Sequence, residues 1–208
     1  MGLAALALNW WMYPMKPVLI GRNGLSELRL EDYTVERKYD GWRAIVIANG
    51  RTRLWTRQRR PIAIPDELQA ALEALRLQPG TVLDGEIWNP SKRGGWADPE
   101  GNGCRLTLWD CVRDGTAYLG KEPLEARRRA LEEAVGHGSD LVGLTEVSGA
   151  SVAAVEAIEA EARAVRDGGD LRSGFIHGAV LKRRGSRRHD SPRRSAENAS
   201  WLKVVFWP

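Results

Sequence analysis

The stretch from Thr34 to Arg57 constrains the fold more than any other part of the chain. Two segments of strand-forming residues, Arg43-Ala-Ile-Val-Ile-Ala48 and Arg51-Thr-Arg-Leu-Trp-Thr-Arg57, flank Asn49-Gly50. Asn-Gly tolerates positive φ at both positions of a tight turn. The pair therefore predicts a two-residue β-hairpin and commits at least part of the sheet to antiparallel pairing. Further strands are expected at Thr81–Trp88, Arg105–Cys111, Leu141–Val147, Phe175–Arg183 and Trp201–Phe206. Helical patterns interrupt them. Asp66–Arg76 follows Pro65 with acids in its first turn, and Glu122–Val135 brings Leu124, Ala130, Leu131 and Val135 near one face. Ser151–Arg166 opens on a serine cap and stops at Gly168-Gly169. Strands outnumber helices, and the expected class is α+β.

With 208 residues, 43% of them hydrophobic, the chain can bury a real core, which excludes a disordered polymer. Scattered Gly and Pro exclude a collagen or a coiled coil. No internal repeat and no clean linker divides it, so residues 1–208 are expected to form a single unit. Met1–Tyr13 is apolar, lacks a basic leading region and a clear cleavage site, and is too short to span a bilayer. It reads as a packed N-terminal segment, or an odd start site, of a cytoplasmic protein with no membrane contact. Cys104 and Cys111 have neither CxxC nor His-rich company, which argues against zinc and against a disulfide framework. Nine Trp stand against two Phe. Each of those rings is either core material or a flat stacking platform with one N–H donor.

The net charge of +4 is unevenly spread. From Arg172 to Arg194 there are eight basic residues and one acidic residue, a local +7. A concentrated excess favours a polyanionic partner over generic solubility. The alternative is a disordered basic loop. Asn89–Gly103, a Gly/Pro/Asn-rich loop carrying Lys92, Arg93 and Trp96, is a weaker candidate for nucleic-acid contact.

Chemistry concentrates in Glu36-Arg-Lys-Tyr-Asp-Gly-Trp-Arg43, at the entrance to the hairpin. Lysine is a nucleophile only when neutral, so Lys38 needs a desolvated or cation-rich pocket to act as one. Gly41 would let backbone approach a ligand closely, and Arg43 offers a planar donor set suited to phosphate or ribose oxygens. Taken alone, the same residues also fit a solvated strand start. The pattern has ordered company, however. Leu54-Trp-Thr-Arg57, Val82-Leu-Asp-Gly-Glu-Ile87, Leu108-Trp-Asp-Cys111, Phe175-Ile-His-Gly-Ala-Val-Leu-Lys182 and Trp201-Leu-Lys203 follow in turn, with Asp190-Ser-Pro-Arg-Arg-Ser195 between the last two.

This series resembles the motifs of the covalent nucleotidyltransferases, the superfamily of polynucleotide ligases and capping enzymes, and most nearly those of ATP-dependent DNA ligases. The resemblance runs from about Pro14 to Trp207. It implies an ATP-grasp-like nucleotidyltransferase (adenylation) domain with antiparallel sheets flanked by helices. It further implies a ligase sealing 5′-phosphate/3′-hydroxyl nicks in duplex DNA, in replication or repair. Lys38 would become a lysyl-AMP; Glu36 would sit near the adenine amino group, and Trp109 would stack on the base. Arg43 and Arg57 would hold ribose or phosphate oxygens, Glu86 would contact the ribose hydroxyl or support Mg²⁺, and Lys182 and Lys203 would neutralise the α-phosphate. Arg183, Arg184, Arg187, Arg188, Arg193 and Arg194 would contact phosphates of the duplex. An RNA ligase of the same superfamily and a non-catalytic nucleotide- or nucleic-acid-binding module are the alternatives.

Three departures qualify the match. His177 stands where the family has a metal-supporting Glu, as a core residue or a better ligand for Mn²⁺ than for Mg²⁺. Val205 replaces the second lysine of the last motif. The sequence ends at Pro208 without the OB-fold that usually follows: a partner domain or subunit supplies that function, the sequence is a fragment, or the enzyme is a minimal one.

Overall fold

The computed structural model describes residues 12–90, 103–168 and 175–207. The strands are β1 (Lys16–Leu19), β2 (Tyr33–Tyr39), β3 (Trp42–Asn49), β4 (Arg51–Thr56), β5 (Pro61–Ile62) and β6 (Val82–Trp88), then β7 (Arg105–Asp114), β8 (Ala117–Tyr118), β9 (Val142–Leu144), β10 (Val147–Gly149), β11 (Ile176–Arg183) and β12 (Glu197–Val205). The helices are α1 (Asp66–Ala74), α2 (Leu124–Val135) and α3 (Val152–Arg166). Ser151 caps α3 as the sequence suggests, its hydroxyl accepting the Ala154 N–H at 3.0 Å.

Strand pairing builds two sheets. One runs β1-β12-β11-β2-β10; the other runs β5-β4-β3-β6-β7-β8, with β9 also beside β7. All pairs are antiparallel except β1–β12 and β7–β9. The expected α+β class, with helix-flanked and largely antiparallel sheets, is what the structure shows.

Period-two alternation then decides what each face does. Ala44, Val46, Leu83, Ile87, Leu106 and Leu108 cover one face of the larger sheet and pack under Leu68 and Leu72 of α1 and Leu131 and Val135 of α2. In the smaller sheet Val35, Ala179, Leu181, Leu202 and Val204 do the same under Val155 of α3. Each fully buried Leu of these layers contributes about 1.5–3 kcal/mol. The intervening residues point the other way. Those faces carry Glu36, Lys38, Lys182, Trp201 and Lys203 on one sheet and Arg43, Asp84, Glu86 and Trp109 on the other. Two apolar outer layers thus leave a polar seam between the sheets.

Several boundaries differ from the sequence reading. The hairpin register pairs Ala48 with Thr52 and Asn49 with Arg51. The turn is therefore centred on Gly50, with φ +79, and is not a two-residue Asn-Gly turn, because Asn49 keeps a negative φ and stays in the strand. The run expected as one strand over Leu141–Val147 is split. Its first part joins β7 as β9, and its last residue opens β10 on the other sheet. One apolar run here serves two sheet edges, as the buried Val142 and exposed Val147 show. β12 begins at Glu197, four residues before the Trp201 expected to open it.

Candidate active site

Lys38 lies near the end of β2 opposite Gly178 of β11. A Cβ at Gly178 would collide with the Val204 carbonyl, so only glycine allows β11 and β12 to close here. Lys38 is half-buried and its Nζ lies 3.4 Å from the Tyr39 carbonyl. The turn that follows is pinned at both ends. Asp40 donates its N–H to the Phe175 carbonyl at 2.8 Å, and Gly41 donates its N–H to Glu86 Oε1 at 2.9 Å. The lysine motif and the Asp-Gly-Glu motif are therefore physically joined. Burial pushes the Glu86 carboxyl above the usual carboxylate range, against the opposing pull of the Lys38 charge and the Gly41 N–H. Gly41 was expected to admit a ligand. What it admits is strand β6, since a Cβ there would collide with the Ile87 carbonyl.

Glu36, two residues before Lys38 on the same face, is 5% exposed and forms an ion pair with Lys182 at 2.7 Å. Lys182 also donates to the Trp109 carbonyl at 3.3 Å, and its Nζ sits 4.3 Å from the centre of the Trp201 ring. Trp109 has Lys182 Nζ at 6.0 Å and the Arg43 guanidinium at 5.8 Å from its ring centre. Lysine and carboxylate both lose water here. Burial drives Glu36 up and Lys182 down from their ordinary values, each partly opposed by the other's charge. The indole N–H groups of Trp109 and Trp201 are buried without a hydrogen-bond partner among the described residues. That leaves two donors in the seam for a polar ligand atom or a water.

Beside this pair lies a larger network that sequence reasoning missed. Arg43 forks onto Asp84 through Nε and Nη2, at 2.9 and 2.6 Å, and donates Nη1 to the Met15 carbonyl at 2.6 Å. Asp84 also receives Arg188 Nη2 at 2.9 Å. Arg188 goes on to Asp110 at 2.9 Å and to both oxygens of Asp190, at 2.8 and 2.9 Å. Arg127 of α2, fully buried, forks onto Asp110 and donates to the carbonyls of Glu122 and Ser186. The signal for Asp84 and Asp110 was present: each is a carboxylate set among apolar neighbours in the middle of a strand, which demands a partner once buried. Nothing local distinguished Arg127 from Arg128 and Arg129.

The placement of the expected site residues follows from these contacts. Lys38, Glu86, Arg43, Trp109, Glu36 and Lys182 gather in the seam. Lys203, paired with Val180, shares their face. Arg57 follows Thr56, whose partner Ala44 adjoins Arg43. The expectation that Arg43 holds ribose or phosphate oxygens meets a guanidinium whose three nitrogens already donate to Asp84 and Met15. Arg188 requires outright correction: it is 5% exposed, and its forks are spent on three aspartates, so it cannot be a phosphate contact on the surface. The remaining arginines are exposed but divided. Arg183 and Arg184 end β11, Arg184 donating its backbone N–H to the Asp32 carbonyl and Nε to the Glu31 carbonyl. Arg193 and Arg194 lie past the buried Arg188 and its partner Asp190. His177 sits in a bulge of β11 with Nε2 3.1 Å from the Trp207 carbonyl. Among the described residues no three His, Cys, Asp or Glu side chains gather as a metal cage. Cys104 and Cys111 are buried and form no disulfide with each other. Lys92, Arg93 and Trp96 lie outside the described residues, as does most of Met1–Tyr13. Among the described residues no helix is long and apolar enough to cross a membrane.

No family model and no curated protein matches the chain. Solved structures do. Mycobacterial DNA ligase D complexed with ATP aligns at 25% identity and a TM-score of 0.67, over 95% of this chain and 61% of that one. The ligase domain of M. tuberculosis LigD aligns at 24% identity and 0.66, over 92% and 60%. The ATP-dependent DNA ligase of bacteriophage T7, in complex with ATP, aligns at 13% and 0.60, over 95% and 69%. The chain thus spans about three fifths of the length of the first two. Its fold is that of the nucleotidyltransferase domain of ATP-dependent DNA ligases.

Proposed function

We propose that this chain, as one domain over residues 1–208, performs the adenylyl transfer of an ATP-dependent DNA ligase and seals 5′-phosphate/3′-hydroxyl nicks. One observation carries the reading. The turn after Lys38 is bonded to Glu86 in a seam that also gathers Arg43, Trp109, Glu36 and Lys182, in a fold shared with ATP-bound DNA ligases. Lys38 Nζ, once neutral, attacks the α-phosphorus of ATP. A P–N bond forms, the bond to the bridging oxygen breaks, and pyrophosphate leaves. The lysine proton leaves to solvent before the attack, and Glu86 keeps its carboxylate for the Gly41 N–H and the metal in this reading. The 5′-phosphate of the nick then takes the adenylyl group from Lys38, and the 3′-hydroxyl displaces AMP to form the phosphodiester.

The surrounding residues bind and orient. Trp109 offers its ring to the adenine, and Glu36 its carboxylate to the amino group. Arg57 and Lys203 bring positive charge to the α-phosphate, where equatorial oxygens accumulate charge in the transition state. Arg43 and Lys182 act through their field, since both are already paired. Mg²⁺ enters with the triphosphate as substrate. A single carboxylate such as Glu86 suits it, because Mg²⁺ keeps waters and substrate phosphates as most of its ligands. An OB-fold partner, a cytoplasmic site of action and a role in replication or repair belong to the same proposal.

The engagement of Arg43 and Lys182 favours a second reading, a module that binds nucleotide or nucleic acid without turnover. Intact-protein mass spectrometry separates the two. With ATP and Mg²⁺ or Mn²⁺ the protein is expected to gain one adenylyl group, to lose it on adding nicked DNA, and to gain none as Lys38→Ala. Wild type without an adduct would leave the binding module. Nicks flanked by ribose instead of deoxyribose distinguish an RNA ligase.

A further inference from the structure

Two arginine-bearing segments, far apart in sequence and on different sheets, meet at the edge of the seam. One is the turn Arg57-Gln-Arg-Arg60 after β4; the other is Ser191-Pro-Arg-Arg-Ser195, and neither contains a carboxylate. Arg59 joins them. Its guanidinium lies 4.3 Å from the centre of the Tyr13 ring, and Nη2 reaches toward the Pro192 carbonyl at 3.4 Å. Tyr13 in turn pairs with Ser191 through backbone bonds of 2.7 and 3.0 Å. The turn itself is set before any ligand arrives. Thr56 N–H donates to the Arg60 carbonyl at 2.7 Å, Arg59 N–H to the Thr56 carbonyl at 3.0 Å, and Arg60 N–H to Thr56 Oγ1 at 3.1 Å.

Arg59 holds φ +67, a left-handed conformation unusual for a long side chain. Such backbone persists where surroundings over-determine it, and it concentrates at ligand clamps. Arg59, Arg60, Arg193 and Arg194 are all exposed. Arginines gathered from two segments that carry no carboxylate of their own repel one another in isolation and are favoured against a polyanion. Guanidinium forks match phosphate oxygens, and a fixed turn loses little freedom on binding. The position also fits. Thr56 pairs with Ala44, next to Arg43, and Asp190 is bonded to Arg188 beside Asp84, so both segments leave directly from the seam.

We infer that Arg59, Arg60, Arg193 and Arg194 form a two-loop clamp for the phosphodiester backbone of duplex DNA, with Tyr13 as the residue that positions Arg59. The inference rests on the proposed ligase reading for the identity of the polyanion. It also divides the basic segment. Arg183, paired with Tyr33, stands five residues along β2 from Lys38, about 17 Å at strand rise, and lies outside the clamp.

The test is the salt dependence of binding to a labelled, nicked DNA duplex, without ATP, for the full chain. Each phosphate contact contributes about −0.9 to the log–log slope on B-DNA. Arg59→Ala/Arg60→Ala and Arg193→Ala/Arg194→Ala are each expected to flatten the slope by about 2, and Arg183→Ala/Arg184→Ala to leave it unchanged. Tyr13→Leu, which removes no charge, is expected to weaken binding severalfold, in the same direction as Arg59→Ala. Equal flattening by all three arginine pairs, or flattening by Arg183→Ala/Arg184→Ala alone, overturns the clamp, as does an unchanged slope in the first two. These outcomes are independent of the adenylyl adduct. A wild type that forms no adduct but keeps the slope contrast would refute the ligase reading and retain the clamp.

Discussion

Glu36 and Asp84 sit on facing sheets at similar depth, 5% and 0% exposed, and ionise in opposite senses. Burial lifts Glu36 above its ordinary range despite the ammonium of Lys182. Burial opposes ionisation of Asp84 as well, yet the charges of Arg43 and Arg188 hold it down to about 2. Depth is therefore not what separates them. Asp84 accepts three N–H groups from two guanidinium forks that carry further carboxylates and carbonyls of their own. Glu36 has one strongly hydrated ammonium, which itself resists losing water. A buried carboxylate stays charged when its cations form a network, and drifts toward neutrality when it has a single lysine. In this protein the first arrangement ties β6 and β7 of one sheet to the segment between β11 and β12 of the other, and the second lies in the seam beside Trp109 and Trp201.

The largest test of that contrast is Asp84→Ala. It leaves Arg43 and Arg188 short of a counter-charge and is expected to cost about 3–5 kcal/mol in urea denaturation. Lys182→Met strands a carboxylate that can escape by taking a proton. It should cost about 2–3 kcal/mol at about pH 8 and less near pH 5. The sign follows from linkage: Glu36 then has a folded pKa above its unfolded value, so the variant loses stability as pH rises through the folded pKa. Glu36→Leu/Lys182→Met should recover most of the loss. A Lys182→Met cost that exceeds the Asp84→Ala cost, or does not change with pH, would break the comparison.

Acid supplies the smaller test. The folded pKa of Asp84 lies below its unfolded value, so its contribution is complete above about pH 4 and lost as pH falls toward 2. Wild type should lose about 2 kcal/mol over that interval that Asp84→Asn, already lacking the charge, does not lose. Parallel acid curves for the two proteins would show that Asp84 is not held ionised by its arginines.

Legibility in the sequence divided along the same line. The apolar faces were readable because alternation and helical spacing record burial locally. Val35, Ala179, Leu181, Leu202 and Val204 announce their outer face without any partner being known. The motif residues were readable because Lys38, Glu86 and Lys182 stand in ordered strings. The ends of the elements were less so. Asn49-Gly50 suggested a two-residue turn, but the register of β3 against β4 kept Asn49 in its strand. Leu141–Val147 looked like one strand because hydrophobicity does not say which sheet edge receives it.

The basic segment shows where local reading stops. Arg187 and Arg188 are neighbours of identical type, yet one is exposed and the other lies among three aspartates. No pattern within the segment separates them. By itself the chain determined its α+β class and the order of its strands and helices, because propensity and periodicity are properties of short stretches. Only the tertiary structure decided which charges are spent on one another. Desolvation and pairing depend on groups brought together from positions as distant as Met15, Asp84, Asp110 and Arg188, and no stretch of sequence contains that sum.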